Sequence, residues 1–431
     1  MISIEKLYQF YLNFPDVCTD TRKISKDCFF IALKGGNFDG NKFAAQALEL
    51  GAALVLVDDP EVCLDHRYIL VEDTLKALQD LASYHRRQLN IPVIAIVGSN
   101  GKTTSKELIS SVLSQTKNIL FTPGNFNNHI GLPLTLLMLK ESHQMAVIEM
   151  GANHVKENAF LCEIALPDFG IVTNNGKDHL EGFGSIEGVK ESNKELYDYL
   201  KEHHGTAFVN VHDQQLVEMS AGLENCITYA ANHGTNEKIA EFSCYAKSLQ
   251  PTIKFELEGL EIESQLSGDY NFDNIMAAVS IGLYFGLTPE DVKKGIESYR
   301  PTNLRSQLIQ KEKNKIFLDA YNANPSSMEL SIRNFMNMEG ENKLLILGDM
   351  FEMGKYEAEE HQALADHCKL LSNVEVWLVG KAFHRTQSPF RKFETTTEVQ
   401  AFLKEQVLDS RFIFLKGSRG MKLESLIEYI H

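Results

Sequence analysis

Several things are scarce in this chain of 431 residues. Its seven cysteines (Cys18, Cys28, Cys63, Cys162, Cys226, Cys244 and Cys368) are odd in number and widely scattered, with no C-x-x-C pair. That argues against both a disulfide framework and a cysteine zinc site. Basic residues are outnumbered, 42 Lys and Arg against 58 Asp and Glu, for a formal net charge of −16. A surface that negative repels phosphate backbones and anionic lipid, so nucleic acid and membrane surfaces are disfavoured partners. An anionic small molecule is not excluded, because a few local cations and a helix N-terminus can hold one. The longest nearly apolar stretch, 130–139, contains Pro133 and falls well short of the ~20 residues of a membrane span. The opening MISIEKLYQFYL lacks the basic flank and apolar core of a secretory signal. No fixed-period repeat or low-complexity tract is visible. These absences lead us to expect a reduced, cytoplasmic protein without membrane insertion.

What is present is ordinary globular material, 44% hydrophobic and 23% charged. At about 150 residues per domain the length suggests three domains. Short apolar runs ending in Gly, Asp or Asn read as buried strands: 52–59, 93–99, 145–151, 169–175, 343–349 and 374–380. Amphipathic stretches lie between several of them, such as 106–113 with Leu108, Ile109, Val112 and Leu113 on one face. Strand and helix alternating in this way predict an α/β fold with mainly parallel sheets. Residues 225–266 depart from the pattern and read as an antiparallel meander at a sheet edge. Pro92 and Pro301 mark borders near residues 90 and 300, because the residue before proline is pushed out of helical geometry. The expected division is 1–90, 91–300 and 301–431.

The run Val93–Val97 leads into Gly98-Ser99-Asn100-Gly101-Lys102-Thr103-Thr104 and then a helical pattern. Strand, glycine loop and helix together form an anion cradle. Backbone N–H groups point at phosphate, Lys102 adds a point charge, and the Thr103 hydroxyl can reach Mg²⁺. The loop is a short G-x-x-G-K-T-T form, since position 96 is Ile rather than Gly. Glu149 ends the apolar run MAVIE. It is a candidate oxygen ligand for the nucleotide's metal, or simply a solvent-facing strand end. His179 follows the strand pattern at 169–175 by a few residues, on the side where open α/β sheets bind ligands.

The motifs GSNGKTT (98–104), EMGANH (149–154), NNGKDHLEGFGS (174–185), GDYNFDN (268–274) and DAYNANPSSM (319–328), taken in order, resemble the Mur ligase superfamily. These are ATP-dependent amino-acid and peptide ligases of peptidoglycan synthesis, with folylpolyglutamate synthase as a relative. TDTR (19–22), NFNNHIGLPLTLL (125–137), GDMFEMG (348–354) and LKGSRGMKLE (415–424) are most similar to the members that attach D-Ala-D-Ala to UDP-MurNAc-tripeptide. The resemblance implies an N-terminal domain for the UDP-linked peptide, a central P-loop ATPase domain and a C-terminal Rossmann-like domain; we expect a monomer. It also implies an acyl phosphate, formed when the tripeptide carboxylate attacks the γ-phosphate and consumed by the dipeptide amine.

By the same resemblance, Lys102 neutralises the β/γ-phosphates, Thr103 and Glu149 hold one Mg²⁺, and His179 holds a second. Asn271 and Asn274 match the adenine side, and Arg305, Asp319, Tyr321 and Asn322 match positions that close on the nucleotide. Asp20, Thr21, Arg22, Asn125, Asn127 and Asn128 match contacts to the UDP-linked substrate. Lys416, Ser418 and Arg419 match a motif on the dipeptide side. Plainer readings stand beside these: Asn271 as a helix N-cap with Asp273 and Asn274 in the first turn, the DAYNANP segment as a strand followed by a turn, and Arg22 as a surface charge.

One departure matters. Superfamily members commonly carry a CO₂-carboxylated lysine in the helix after the metal-binding histidine. Asn193 occupies that position here, and Lys194, one residue on, would point about 100° away around a helix. Either Lys194 is carbamylated, or Asn193 supplies a neutral amide oxygen instead, the reading we prefer; Lys190 is a third and weaker possibility. The competing functions are another superfamily ligase, such as folylpolyglutamate synthase, and a non-ligating P-loop NTPase.

Overall fold

The computed structural model describes residues 2–36 and 38–430. Three large sheets follow one another along the chain, beside a two-stranded ribbon of Lys34–Gly35 and Phe38–Asp39. Four parallel strands, in spatial order Val17–Cys18, Phe29–Ile31, Leu54–Val57 and Tyr68–Leu70, form the first. A nine-stranded sheet built from residues 93–263 forms the second, and a six-stranded sheet from residues 307–416 the third. No helix among the described residues is long and apolar enough to cross a membrane.

The central sheet shows why its strands read as continuous apolar runs. Val93, Ala95 and Val97 enter one core while Ile94 and Ile96 enter the other, so both faces are covered. On one face lies the helix Lys102–Leu113, packed against Asp269–Tyr284 and Pro289–Ser298. Glu157–Ala165 and Ile186–Glu202 contribute to the core of the other face.

That second core does not stop at residue 90. It continues into Leu7, Tyr11, Phe29, Leu56, Leu78 and Leu81 of the first unit. Polar contacts reinforce the joint: Tyr11 donates to the Leu137 carbonyl at 2.6 Å, and Arg86 bonds the Ala165 and Leu166 carbonyls and the Asp168 carboxylate. The first two units are therefore packed as one body.

The meander expected over 225–266 is corrected. Asn225–Asn232 and Phe242–Ser248 extend the sheet in parallel, and only Lys254–Leu257 and Leu260–Glu263 run antiparallel. The connection 233–241 exceeds the two to five residues typical of a hairpin, which leaves room to carry the chain back to the start of a parallel neighbour. The third sheet has five parallel strands, with Gln307–Lys311 antiparallel at its edge.

Candidate active site

Register in the central sheet sets the site. Ile96 lies opposite Glu149, and Val97 opposite Val172. Three parallel strands thus end side by side and deliver the glycine loop, Glu149, and Thr173 with Asn174 to one edge. This is the carboxyl edge at which open α/β sheets bind ligands.

The loop is held from outside. Thr173 Oγ1 and Asn174 Nδ2 donate to the Asn100 carbonyl at 2.7 and 2.9 Å, and the Asn100 amide donates to Asn174 Oδ1 at 3.1 Å. Ser99 Oγ donates to Asp178 at 2.5 Å and accepts from the Gly176 amide at 2.8 Å. Gly101 has φ +83°, and a Cβ there would sit 2.5 Å from Asn274 Oδ1, so this glycine is needed both for its backbone and for its neighbour. Gly98, at φ +130°, backs onto Thr173 rather than lining the cavity. Lys102 folds back so that Nζ touches the Gly98 carbonyl and lies 3.2 Å from that of Ser99.

Glu149 is buried, 2% exposed, which removes the reading of a solvent-facing strand end. Its Oε1 accepts from Thr103 Oγ1 at 3.2 Å and Asn127 Nδ2 at 2.8 Å, while Oε2 has no hydrogen-bond partner. A buried carboxylate oxygen left unpaired beside a threonine hydroxyl fits a hard divalent cation that takes its remaining ligands from phosphate and water. No cluster of three or more His, Cys, Asp or Glu suited to a metal occurs among the described residues. A cation here would therefore depend on phosphate oxygens.

A cavity of about 300 Å³ opens over this edge and is walled by two units. The central unit contributes Ser99 to Thr104, Asn125, Asn127, Asn128, Glu149, His179, Asn271 and Asn274. The C-terminal unit contributes Arg305, Asp319, Tyr321, Asn322 and Lys416. Arg305 stacks on Tyr321, with its guanidinium carbon 4.0 Å from the ring centroid. Lys416 donates to Asp319 Oδ2 at 2.6 Å, and Ser331 donates to the same oxygen at 2.9 Å. Burial is the largest influence and opposes ionisation of Asp319, but the Lys416 ammonium, with Ser331 and Arg305, outweighs it and holds the carboxyl below its ordinary range.

The C-terminal unit is docked directly on the phosphate loop. Asn324 Nδ2 donates to Asn100 Oδ1 at 2.9 Å, the Lys177 amide donates to Ser326 Oγ at 2.8 Å, and Lys177 pairs with Glu360 at 2.7 Å. His179, at φ +44°, brings Nδ1 against the Glu352 carboxylate. That contact keeps the Glu352 carboxyl below its ordinary range.

Other sequence candidates lie outside the cavity lining. Asp20 caps the short helical turn Thr21–Lys23 and pairs with an exposed Arg22 at 2.8 Å; this contact brings the Asp20 carboxyl down to about 2. Ser418 is buried and accepts from the Phe351 amide at 2.8 Å, whereas Arg419 is exposed and pairs with Glu424. Asn193 is buried and donates to Asn175 Oδ1 at 2.9 Å; Lys194 turns to Asp198, one turn along the helix. Lys190 faces Glu218. The N-cap reading of Asn271 is corrected. Gly268 caps that helix, and Asn271, one turn inside, donates to the Ser267 carbonyl at 2.9 Å and accepts from Asn274. Within DAYNANP the turn ends at Asn324, which caps the helix Pro325–Asn337.

Three contributors escaped the sequence reading. Asn324 and Glu352 lie inside quoted motifs but show their contacts only after docking. Lys106 carried one signal, a second lysine one turn beyond Lys102 on the same helix.

A phosphate loop with an acidic strand end beside it, roofed by a second α/β unit that brings its own cations, defines a nucleotide-dependent P-loop enzyme working between domains. The chain belongs to the Mur ligase family. The sequence patterns of the Mur ligase family catalytic domain, the Mur ligase middle domain and the Mur ligase glutamate ligase domain match residues 16–86, 96–282 and 304–418. The chain is 37% identical to the UDP-N-acetylmuramoyl-tripeptide–D-alanyl-D-alanine ligase of Bacillus subtilis (strain 168), over 96% of this chain and 92% of that protein. It is 33% identical to the ligase of the same name from Escherichia coli (strain K12), over 95% and 92%. Among solved structures, MurF from Acinetobacter baumannii superposes with a TM-score of 0.85 at 30% identity, over 99% of this chain and 98% of that one. MurF ligase from Thermotoga maritima in complex with ADP superposes at 0.83 and 25% identity, over 100% and 98%.

Proposed function

We propose that this enzyme joins D-Ala-D-Ala to UDP-MurNAc-tripeptide in peptidoglycan precursor synthesis, converting ATP to ADP and phosphate through an acyl phosphate. The observation that carries the reading is the end-to-end match to relatives bearing that name. The site's chemistry is consistent with it. A carboxylate and a triphosphate repel each other, so bringing them together is the main obstacle.

In this reading the β/γ-phosphates sit on the amides of residues 98–104, and Lys102 leaves the loop carbonyls to meet them. Arg305 approaches from the other wall, its Nε buried without a protein partner. Mg²⁺ held by Thr103 and Glu149 would supply further charge neutralisation at the phosphate oxygens, and His179 remains the candidate for a second ion. Asn127 fixes the Glu149 carboxylate through Oε1. Asn271 and Asn274 form the adenine side, with Tyr321 and Asn322 on the roof. We assign residues 1–90 to the UDP-linked peptide through Asp20, Thr21 and Arg22, residues 91–300 to ATP, and residues 301–431 to closure and the dipeptide. Lys416 belongs with Asp319 in the nucleotide cavity; Ser418 and Arg419 stay on the dipeptide side. Asn193 replaces the carbamylated lysine, a reading supported by its burial and by the outward turn of Lys194. One chain supplies every group named, so a cytoplasmic monomer suffices.

The test is phosphate release with UDP-MurNAc-tripeptide, with and without D-Ala-D-Ala. Release that ignores both substrates sinks the ligase reading in favour of a plain NTPase. Stimulation by a folate and glutamate would instead point to a folylpolyglutamate synthase.

A further inference from the structure

Lys106 has no place in the scheme above, yet its side chain is only 1% exposed. A buried ammonium must be matched by acceptors or counter-charge. Lys106 Nζ donates to the Thr122 carbonyl at 3.0 Å and reaches that of Gly124 at 3.5 Å. It also lies 3.8 Å from Glu149 Oε2 and 3.9 Å from Glu107 Oε1. The separation from Oε2 is too long for a hydrogen bond but short enough for a strong charge contact. The two oxygens of Glu149 are therefore treated differently. Oε1 is fixed by Thr103 and Asn127, whereas Oε2 is compensated at a distance and keeps its lone pairs free.

We propose that Lys106 is the internal counter-ion of Glu149, a positioning residue that balances the carboxylate in the nucleotide-free enzyme and ties it to the 122–128 segment. Three consequences follow from one ammonium. Charge is balanced beside Glu149 without using a hydrogen bond to Oε2. The site's net charge is too small to attract a divalent cation strongly until phosphate brings more negative charge. And the segment carrying Asn125, Asn127 and Asn128 is anchored to the helix that starts at Lys102, which couples the two sides of the cavity.

The inference rests on the reading of Thr103 and Glu149 as Mg²⁺ ligands, and the experiment separates the two. Mn²⁺ is titrated into the full-length enzyme without and with ADP, following free Mn²⁺ by electron paramagnetic resonance, for wild type, Lys106→Met, Lys106→Arg, Glu149→Gln and the double variant Lys106→Met/Glu149→Gln. We expect Lys106→Met to bind Mn²⁺ about tenfold more tightly than wild type, since it loses a repelling charge. Lys106→Arg should stay near wild type, and the double variant should lose the gain. Unchanged or weaker binding by a folded Lys106→Met overturns the counter-ion role. If Lys106→Met does not fold, wild type decides: ADP should tighten Mn²⁺ binding at least about tenfold, and a nucleotide-free site already that tight overturns the proposal. Should Glu149→Gln leave Mn²⁺ binding with ADP untouched, it is the ligand assignment itself that fails.

Discussion

Lys416→Met isolates one buried charge. Asp319 and Lys416 face each other at 2.6 Å, with side chains 14% and 3% exposed. Removing one partner of such a pair costs roughly 3–5 kcal/mol, because the other is left buried and uncompensated. Here Ser331 still donates to Asp319 and Arg305 lies near, so we expect a loss somewhat below that range, about 2–3 kcal/mol.

The chain's only tryptophan, Trp377, lies buried in the same sheet's core. Its fluorescence in urea reads this unit without contamination from the other two. A loss of that size should lower the unfolding midpoint by about 1–2 M. The pH dependence fixes the cause. In wild type the Asp319 carboxyl is held low, so its contribution is present above the unfolded value, about 3.9, and is lost as pH falls through the folded value. Without Lys416, burial pushes the carboxyl up, and the variant folds with the proton retained. Its deficit should therefore grow as pH rises above the unfolded value, about 3.9, over roughly two pH units, and Lys416→Met/Asp319→Asn should recover much of it. A deficit below about 1 kcal/mol at neutral pH, or one that ignores pH, would refute the argument.

Gly101→Ala should weaken ADP binding at least tenfold by calorimetry, since a left-handed residue costs about 1–2 kcal/mol and the new Cβ displaces Asn274; unchanged affinity counts against the loop geometry. Glu149→Gln should lower kcat by about 10²-fold or more with the fold intact, and near-normal turnover would remove Glu149 from the chemistry. His85 is buried between Tyr8, Tyr11 and the Leu139 carbonyl, and burial lowers its pKa. Stability should therefore be full above the unfolded value, about 6.5, and fall as pH drops below it; thermal melts in which His85→Asn keeps the same acid slope would rule this out. Activity should not respond to bicarbonate, and Lys194→Ala should retain most of it. A mass increase from a carbamate on Lys194 would reverse that reading.

Much of the architecture was legible from the residues. Runs such as VIAIV and MAVIE read as buried strands because they are short, apolar on both alternating faces and rich in β-branched residues, and the glycine loop followed by Lys102 and Thr103 announces its chemistry in a single segment. The caps at Asn324 and Asp20 are equally local, their side chains bonding amides two or three residues away, yet the one cap the sequence suggests, Asn271, lies inside its helix. Sequence could not say which strands are neighbours. Register alone set Glu149 beside the loop strand, and over 225–266 the strand-rich pattern points to an antiparallel meander where the first two strands run parallel. Lys106, Asn324 and Glu352 act through partners distant in the chain, so no spacing rule reveals them. The same holds for Lys416, read from its motif as facing the dipeptide and found paired with Asp319. The negative total charge is the plainest case: composition counted the charges, but only the fold gathered Lys102, Arg305 and Lys416 around one cavity.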